Sequence, residues 1–132
     1  MARSDRPSER PLLDKLGVKP GARVAMIGVD EPWFRELLAS RTDDVAVGRA
    51  RKDSDLIFVR VNHRDDLARV GPLQRSLVPN GAIWVIRSKG SPDIKEVEII
   101  DAGIRAGLVD NKIASFSETL SAMRLVIPLA RR

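Results

Sequence analysis

The chain has 132 residues, of which 43% are hydrophobic and 31% are charged, and its net charge is +5. These values are typical of one globular domain and not of a disordered chain. The absence of cysteine excludes disulfides, thiolate metal sites and cysteine nucleophiles. No apolar run approaches the ~20 residues that span a bilayer, and none follows the charged amino terminus as in a secretory signal, so we expect a cytoplasmic protein without membrane contact.

The positive charge is concentrated at the two ends of the chain. Residues 1–10 carry three arginines and the chain ends in two more, whereas residues 11–130 hold 18 basic and 16 acidic side chains. The five aromatic residues all lie in apolar segments, although binding of single-stranded nucleic acid needs aromatic side chains interleaved with cations. We therefore interpret the basic charge as a solvated surface, and a nucleic-acid-associated protein remains the alternative.

Short apolar runs alternate with amphipathic segments along one predicted domain, residues 11–132, behind a predicted flexible arm at residues 1–10. Buried strands are predicted at 23–27, 45–47, 55–61 and 82–86. Helices are predicted at 11–16, from residue 30, at 64–77 and at 91–107. Two final strands, 108–116 and 120–128, flank a polar turn at 117–119 and predict an antiparallel hairpin.

Local signals refine these elements. An acidic pair followed by Pro32 predicts the start of the second helix. Gly71 and Pro72 predict a kink or two short helices. The segment 79–81 is predicted as a turn. The buried face of the last helix is predicted from its apolar spacing, namely Ile94, Val97, Ile100 and Ile104.

Buried strands that alternate with amphipathic helices predict an α/β fold with a mostly parallel sheet and helices on both faces. With the terminal hairpin the sheet becomes mixed and has about six strands in a three-layer arrangement. This order resembles the Rossmann-like fold of S-adenosylmethionine-dependent methyltransferases in shortened form. Three stretches carry the resemblance, namely Leu16–Gly28, Leu77–Val85 and Ala106–Lys112 with the hairpin that follows.

More closely, the sequence is similar to a family of short bacterial proteins of unknown function with Rossmann-like folds. The matching cues are Leu16-Gly17 with Pro20-Gly21, Asp55–Ile57, Trp84-Val85 with Lys89, Gly107–Lys112, and Glu118-Thr119 with Ser121. This resemblance implies the fold and implies no activity.

The loop after the first strand is a poor nucleoside site. Close approach of a cofactor to this turn needs several glycines, but only Gly28 is present, and Asp30 and Glu31 oppose an anionic ligand at the helix start. The second strand is followed by Arg49, where an acid would accept the ribose hydroxyls. We therefore predict no cofactor and a degenerate methyltransferase-like binding module rather than an enzyme; a methyltransferase with an atypical loop at Gly28 and Asp30 is the alternative.

Basic residues follow three of the predicted parallel strands. Arg49, Arg60 and Arg87 occupy these strand ends, and Lys89 is close in sequence. Because the carboxyl ends of parallel strands meet at one edge, these side chains predict a site for a small anionic ligand. The alternative is that each arginine is paired with a nearby acid.

Other candidate groups favour structural interpretations. The single histidine, His63, is predicted at the surface, and Asp65 and Asp66 fit the first turn of a helix better than a cation site. Lys112 and Glu118 are predicted to pair across the hairpin. The sequence indicates no catalytic residues and no metal site, and it is compatible with a homodimer through an edge strand or a helix face.

Overall fold

A computed structural model describes residues 9–132, with side chains from residue 12 onward. Its strands are β1 (Val24–Ile27), β2 (Val45–Val47), β3 (Ser54–Arg60), β4 (Leu77–Ser88), β5 (Val109–Ser115) and β6 (Leu120–Val126). Its α-helices are α1 (Glu9–Leu16), α2 (Pro32–Ala39), α3 (Val70–Gln74) and α4 (Glu96–Arg105). Two 3₁₀ helices cover Arg64–Arg69 and Leu129–Arg131.

The six strands form one mixed sheet in the order β2-β1-β3-β4-β6-β5. The first four strands are parallel, and β6 runs antiparallel to both β4 and β5. The prediction of a mostly parallel sheet with a terminal antiparallel hairpin is confirmed. The hairpin inserts β6 beside β4 and leaves β5 as an edge strand.

Apolar side chains cover both faces of the sheet. One core cluster packs α1 and α2 against even-numbered strand positions such as Phe58 and Trp84. The other packs α3 and α4 against the alternate positions, including Ile57 and Val85. Because successive side chains of a strand point to opposite faces, a continuous apolar run such as that of β3 fills both clusters. The chain therefore has the predicted three layers.

Several boundaries differ from the predictions. Glu9 and Arg10, assigned to the arm, belong to α1, while residues 1–8 of that arm lie outside the described residues. The predicted turn at 79–81 belongs to β4, in a stretch where the β3–β4 register is interrupted. Of the two alternatives predicted at Gly71 and Pro72, the structure has two short helices, a 3₁₀ helix followed by α3, but their boundary lies at Arg69–Val70 and both residues belong to α3.

The predicted buried face of α4 is confirmed only in part. Ile94, just before the helix, is buried and Ile100 packs partly buried against the core, but Val97 and Ile104 are 57% and 60% exposed. The fully buried positions of the helix are Ile99 and Gly103. A Cβ at Gly103 would lie 3.0 Å from Cδ2 of Leu125, so the missing side chain lets α4 approach β6 closely. The helix also begins later than predicted, because the carboxylate of Glu98 accepts the Lys95 N–H at 2.9 Å and caps the first turn.

In residues 9–132 no helix has both the length and the apolar character required to cross a membrane.

Candidate functional site

The sheet has a topological switch point between β1 and β3. The chain leaves β1 toward β2 on one side, while β3 pairs with β1 on the other. Open α/β sheets bind ligands outside the carboxyl ends of the strands at such a point. Gly28 follows β1 and Arg60 ends β3, so these two residues lie side by side at this position.

Gly28 forms the turn that leaves β1. Its φ of +73° lies in the left-handed region, where a side chain costs energy. A Cβ there would lie 3.5 Å from Cβ of Arg60 and 3.8 Å from Nη1 of Arg69. Two arginine side chains therefore flank the turn. We use the name Arg60 site for the group formed by Gly28, Arg60, Arg69 and Ser88.

The guanidinium of Arg60 is only partly satisfied. Its Nη2 donates to Oγ of Ser88 at 3.0 Å, on the face of the sheet that carries α1 and α2. Its Nη1 is buried and finds no hydrogen-bond partner within residues 9–132. A buried, unpartnered N–H of a charged group is costly, and a carboxylate or phosphate oxygen is its strongest acceptor.

Arg69 reaches the Arg60 site from the 3₁₀ helix. Its Nη2 lies 3.7 Å from Oδ1 of Asp66, and its side chain is 50% exposed. The N–H groups of Asn62 and His63 donate to Oδ2 of Asp66 at 2.8 and 3.1 Å, which holds the pKa of that carboxyl below its usual value. The sequence alone does not indicate Arg69, because its approach to Gly28 depends on how the 3₁₀ helix docks.

The four predicted anion-site residues share the carboxyl edge but do not converge. Arg60 and Arg87 lie on opposite faces, because they follow the alternate positions of paired strands. Nη1 of Arg87 donates to the carbonyl of Ile94 at 3.3 Å, and its Nη2 lies 3.5 Å from Oε2 of Glu96. Arg87 therefore does not belong to an open rim of three arginines, because its guanidinium already interacts with a carboxylate and a backbone carbonyl.

The other two predicted residues also lie apart from Arg60. Nζ of Lys89 donates to Oγ of Ser115 at 2.7 Å, at the end of β5. Arg49 is exposed and follows β2, which β1 separates from β3. Among the predicted residues only Arg60 belongs to the Arg60 site.

The loop beyond Gly28 is occupied by its own side chains. Val29 is buried in the core, and Nε1 of Trp33 donates to Oε1 of Glu31 at 2.9 Å. The Trp33 ring packs against Phe34 and Phe116, with centroids 5.6 and 5.3 Å away. Val29 and Trp33 therefore add bulk to this loop.

These residues do not fit a nucleoside cofactor at the expected positions. The turn offers one glycine, and the arginines of the Arg60 site lie in contact distance of the space above it. Exposed Arg49 stands where an acidic side chain would accept ribose hydroxyls. The acid nearest to β2 in sequence, Asp44, precedes that strand and binds Arg23 and Arg51 instead, which lowers the pKa of Asp44.

The remaining candidates have structural roles. His63 is exposed and Asp66 caps the 3₁₀ helix, as predicted for a surface histidine and a first-turn acid. The described residues contain no cluster of acidic or histidine side chains suited to a metal ion. The predicted Lys112–Glu118 pair is wrong, because Nζ of Lys112 donates to the carbonyl of Lys15 at 3.0 Å.

Arg124 is a second arginine with an unusual environment. Its Nε is buried and unpartnered within the described part of the chain. Burial lowers the pKa of Arg124, and the positive charge of Arg132 acts in the same direction. Arg124 pairs in register with Trp84 in the middle of the sheet, so it does not contribute to the carboxyl edge.

A groove of about 720 Å³ runs between the 3₁₀–α3 segment and α4. Small side chains and opposite charges line it, including Ala68, Ala102, Asp101 and Arg105. Arg64 and Glu98 form an ion pair at one end. Neither Gly28 nor Arg60 lines this groove, so it is separate from the Arg60 site.

No family model and no curated protein matches the sequence, so the resemblance to a short bacterial family stays a prediction. The fold is similar to that of several methyltransferases of known structure. A methyltransferase from Aquifex aeolicus that depends on S-adenosylmethionine (SAM) superposes with a TM-score of 0.70 at 15% identity, over 94% of this chain and 95% of that one. A TehB-like SAM-dependent methyltransferase from Corynebacterium glutamicum gives 0.60 at 14% identity, over 95% and 90%.

The magnesium protoporphyrin IX methyltransferase from Synechocystis, solved with bound SAM, gives a TM-score of 0.67 at 12% identity, over 91% of this chain and 76% of that one. At such identities the likeness shows the fold alone. The chain therefore has a SAM-dependent methyltransferase-like Rossmann fold.

Proposed function

We propose that this chain is a binding module on a methyltransferase-like fold, which holds a small anionic ligand at the Arg60 site and transfers no methyl group. The observation that supports the proposal most is the buried Nη1 of Arg60, which has no partner within residues 9–132. A carboxylate or phosphate oxygen would supply the missing acceptor.

The charge around the Arg60 site favours an anion. Among the described residues, the Arg60 guanidinium has one hydrogen-bond partner, the neutral hydroxyl of Ser88. The charge of Arg69 is only partly neutralised by Asp66, whose Oδ1 lies 3.7 Å from Nη2, and half of the Arg69 side chain is exposed. An incoming anion would therefore meet one uncompensated and one partly compensated guanidinium, and both can make charge-assisted hydrogen bonds.

Access to Nη1 of Arg60 requires a side chain to move, because this nitrogen is buried. Arg69 is a long, half-exposed side chain beside Gly28, held by one weak ion pair, and its displacement would open the space next to that turn.

A SAM-dependent methyltransferase is the second candidate. The structural neighbours are named as SAM-dependent methyltransferases, and their superpositions cover nearly the whole of this chain. The single glycine and Arg49 at the cofactor positions argue against it. We therefore rank it below the anion-binding module.

Ligand binding measured by thermal shift and calorimetry separates the two candidates. The probes are succinate, inorganic phosphate, SAM and S-adenosylhomocysteine, applied to the wild type, Arg60→Met and the control Arg49→Met. We expect succinate or phosphate to stabilise the wild type and Arg49→Met and to leave Arg60→Met unchanged.

Either of two results would overturn the proposal. One is that neither anion binds the wild type, and the other is that Arg60→Met binds as tightly as the wild type. Micromolar binding of S-adenosylhomocysteine that persists in Arg60→Met would favour the second candidate instead.

A further inference from the structure

Aromatic side chains lie beside the Arg60 site on the same face of the sheet. The ring of Phe34 packs against Phe58 and Phe116, with centroids 5.1 and 4.6 Å away. The ring of Trp33 packs in turn against Phe34 and Phe116. The three phenylalanines are buried in the core cluster that faces α1 and α2, whereas Trp33 is 41% exposed. We call Trp33, Phe34, Phe58 and Phe116 the aromatic cluster.

Two links through the sheet join the aromatic cluster to the Arg60 site. Phe58 and Arg60 are two positions apart on β3, so their side chains leave the strand on the same face. At the carboxyl edge Ser88, which accepts a hydrogen bond from Arg60, pairs in register with Leu120. The carbonyl of Leu120 accepts the N–H of Phe116 at 3.0 Å. Because the Cα atoms of such cross-strand neighbours are about 5 Å apart, the Arg60 guanidinium and the end of β5 border one surface.

The exposed ring of Trp33 is the part of the aromatic cluster that a ligand can reach. Phe34 and Phe116 support the ring, and its Nε1 donates to Oε1 of Glu31 at 2.9 Å. The indole is therefore held in place with its polar atom satisfied, and its exposed part is an aromatic surface. Aromatic rings bind such a surface in offset-stacked or edge-to-face geometry.

The two ends of this surface carry opposite charges. The Arg60 guanidinium is a cation, whereas the carboxylates of Asp30 and Glu31 belong to the loop that leads to Trp33. A ligand that reaches from Arg60 to Trp33 therefore meets a cation at one end and carboxylates at the other. Repulsion by these carboxylates disfavours a second negative group at the Trp33 end, where an uncharged ring is tolerated.

We propose that the ligand of the Arg60 site is a monocarboxylate with an aromatic ring, whose carboxylate binds the Arg60 guanidinium and whose ring packs against Trp33. This inference rests on the proposed function, because it specifies the ligand class of the same site. It separates an aromatic acid from phosphate and from an aliphatic dicarboxylate, which gain nothing from the Trp33 ring.

Calorimetry with matched acids tests the ligand class. The probes are phenylacetate, cyclohexylacetate, which has the same carbon skeleton without aromaticity, and acetate, which lacks the ring. We expect phenylacetate to bind the wild type at least about tenfold more tightly than acetate, and also more tightly than cyclohexylacetate. Arg60→Met should lose the binding of all three acids, because each carboxylate depends on the same guanidinium.

Variants of Trp33 separate the ring contact from anion binding. Trp33→Ala should weaken phenylacetate binding at least about tenfold and leave acetate binding unchanged, because Arg60 is retained. Trp33→Phe keeps an aromatic ring and should restore most of the phenylacetate affinity. Ile104→Ala is the matched control, since it removes an apolar side chain that is 60% exposed on the opposite face of the sheet. It should bind phenylacetate like the wild type.

Tryptophan fluorescence gives a second measurement that does not require Trp33→Ala to fold. Phenylacetate should change the emission of the wild type but not that of Trp33→Phe, whose remaining indole, Trp84, is fully buried. An emission of the wild type that stays unchanged at saturation overturns the inference. Circular dichroism verifies that each variant is folded.

The affinities distinguish failure of this inference from failure of the proposed function. Phenylacetate that binds no more tightly than acetate or cyclohexylacetate, or equally well to the wild type and to folded Trp33→Ala, overturns the aromatic ligand class. Binding of phosphate or succinate would then still support the anion site. If these two anions and phenylacetate all fail to bind the wild type, the proposed function fails as well.

Discussion

The indole Nε1 of Trp84 donates a hydrogen bond to the carbonyl oxygen of Leu16 at 3.0 Å, across 68 positions of the sequence. Trp84 is fully buried in β4, and Leu16 is the last residue of α1. The bond therefore satisfies a carbonyl at the helix end, which has no partner within the helix. It also fixes α1 to the centre of the sheet.

Trp84→Phe should destabilise the protein by about 2–4 kcal/mol, because it leaves the Leu16 carbonyl unpartnered and opens a cavity. Chemical denaturation measures this change. Trp33→Phe is the control, since the Trp33 ring is 41% exposed and its partner Glu31 is reached by solvent. If Trp84→Phe lowered the free energy of unfolding no more than Trp33→Phe does, this role of the Trp84 indole would be contradicted.

Gly28→Ala should cost about 1 kcal/mol of stability, because the residue has a φ of +73° and its new Cβ would contact Arg60. Gly71→Ala provides a contrast, as Gly71 is helical and has open space where a Cβ would be. The latter should be neutral or stabilising by up to about 1 kcal/mol. Thermal unfolding of the two variants measures these changes. A Gly28→Ala variant more stable than Gly71→Ala would refute this reasoning.

Arg60→Met and Arg87→Met should change the free energy of unfolding by different amounts or in opposite directions. Removing Arg60 eliminates a buried N–H that has no partner within residues 9–132, so the stability should change by less than about 1 kcal/mol or should rise. Removing Arg87 breaks its contacts with Ile94 and Glu96, which should cost about 1–2 kcal/mol. Urea titration of both variants is the measurement, and a larger loss for Arg60→Met would show that its guanidinium stabilises the fold.

Asp66 should contribute to stability in a pH-dependent way. Backbone hydrogen bonds from Asn62 and His63 lower the pKa of Asp66 below 3.8, its ordinary value in the unfolded chain. The unfolded state therefore takes up the proton first, so this stabilisation is complete above about pH 5 and is lost as the pH falls through the lower folded value.

Asp66→Asn should accordingly be less stable than the wild type at pH 7, and the difference should shrink on acidification below about pH 4. Equilibrium unfolding between pH 2 and 7 tests this expectation, with about one-unit steps near the transition. Asp65→Asn is the control, because Asp65 is the exposed neighbour. A constant difference across this range would argue against the assigned cause.

Local sequence patterns predicted most of the helices and strands, but not which side of each element faces its neighbours. The apolar spacing of α4 was compatible with more than one buried face, and Gly103, which has no side chain to contribute to the pattern, marks the side that packs. Likewise, the strand ends predicted that Arg60 and Arg87 share an edge. Strand alternation and the paired register then place them on opposite faces.

The sequence by itself determined the layer order, the parallel core and the terminal hairpin, because strand and helix periodicity depend on neighbouring residues. It also determined the residue types at the carboxyl edge. Only the tertiary structure decided that Arg69 reaches Gly28, that a nitrogen of Arg60 finds no partner in the described part of the chain, and that β5 lies at the edge of the sheet. Those facts depend on how distant segments dock, and docking is set by packing across the sheet, which no local pattern contains.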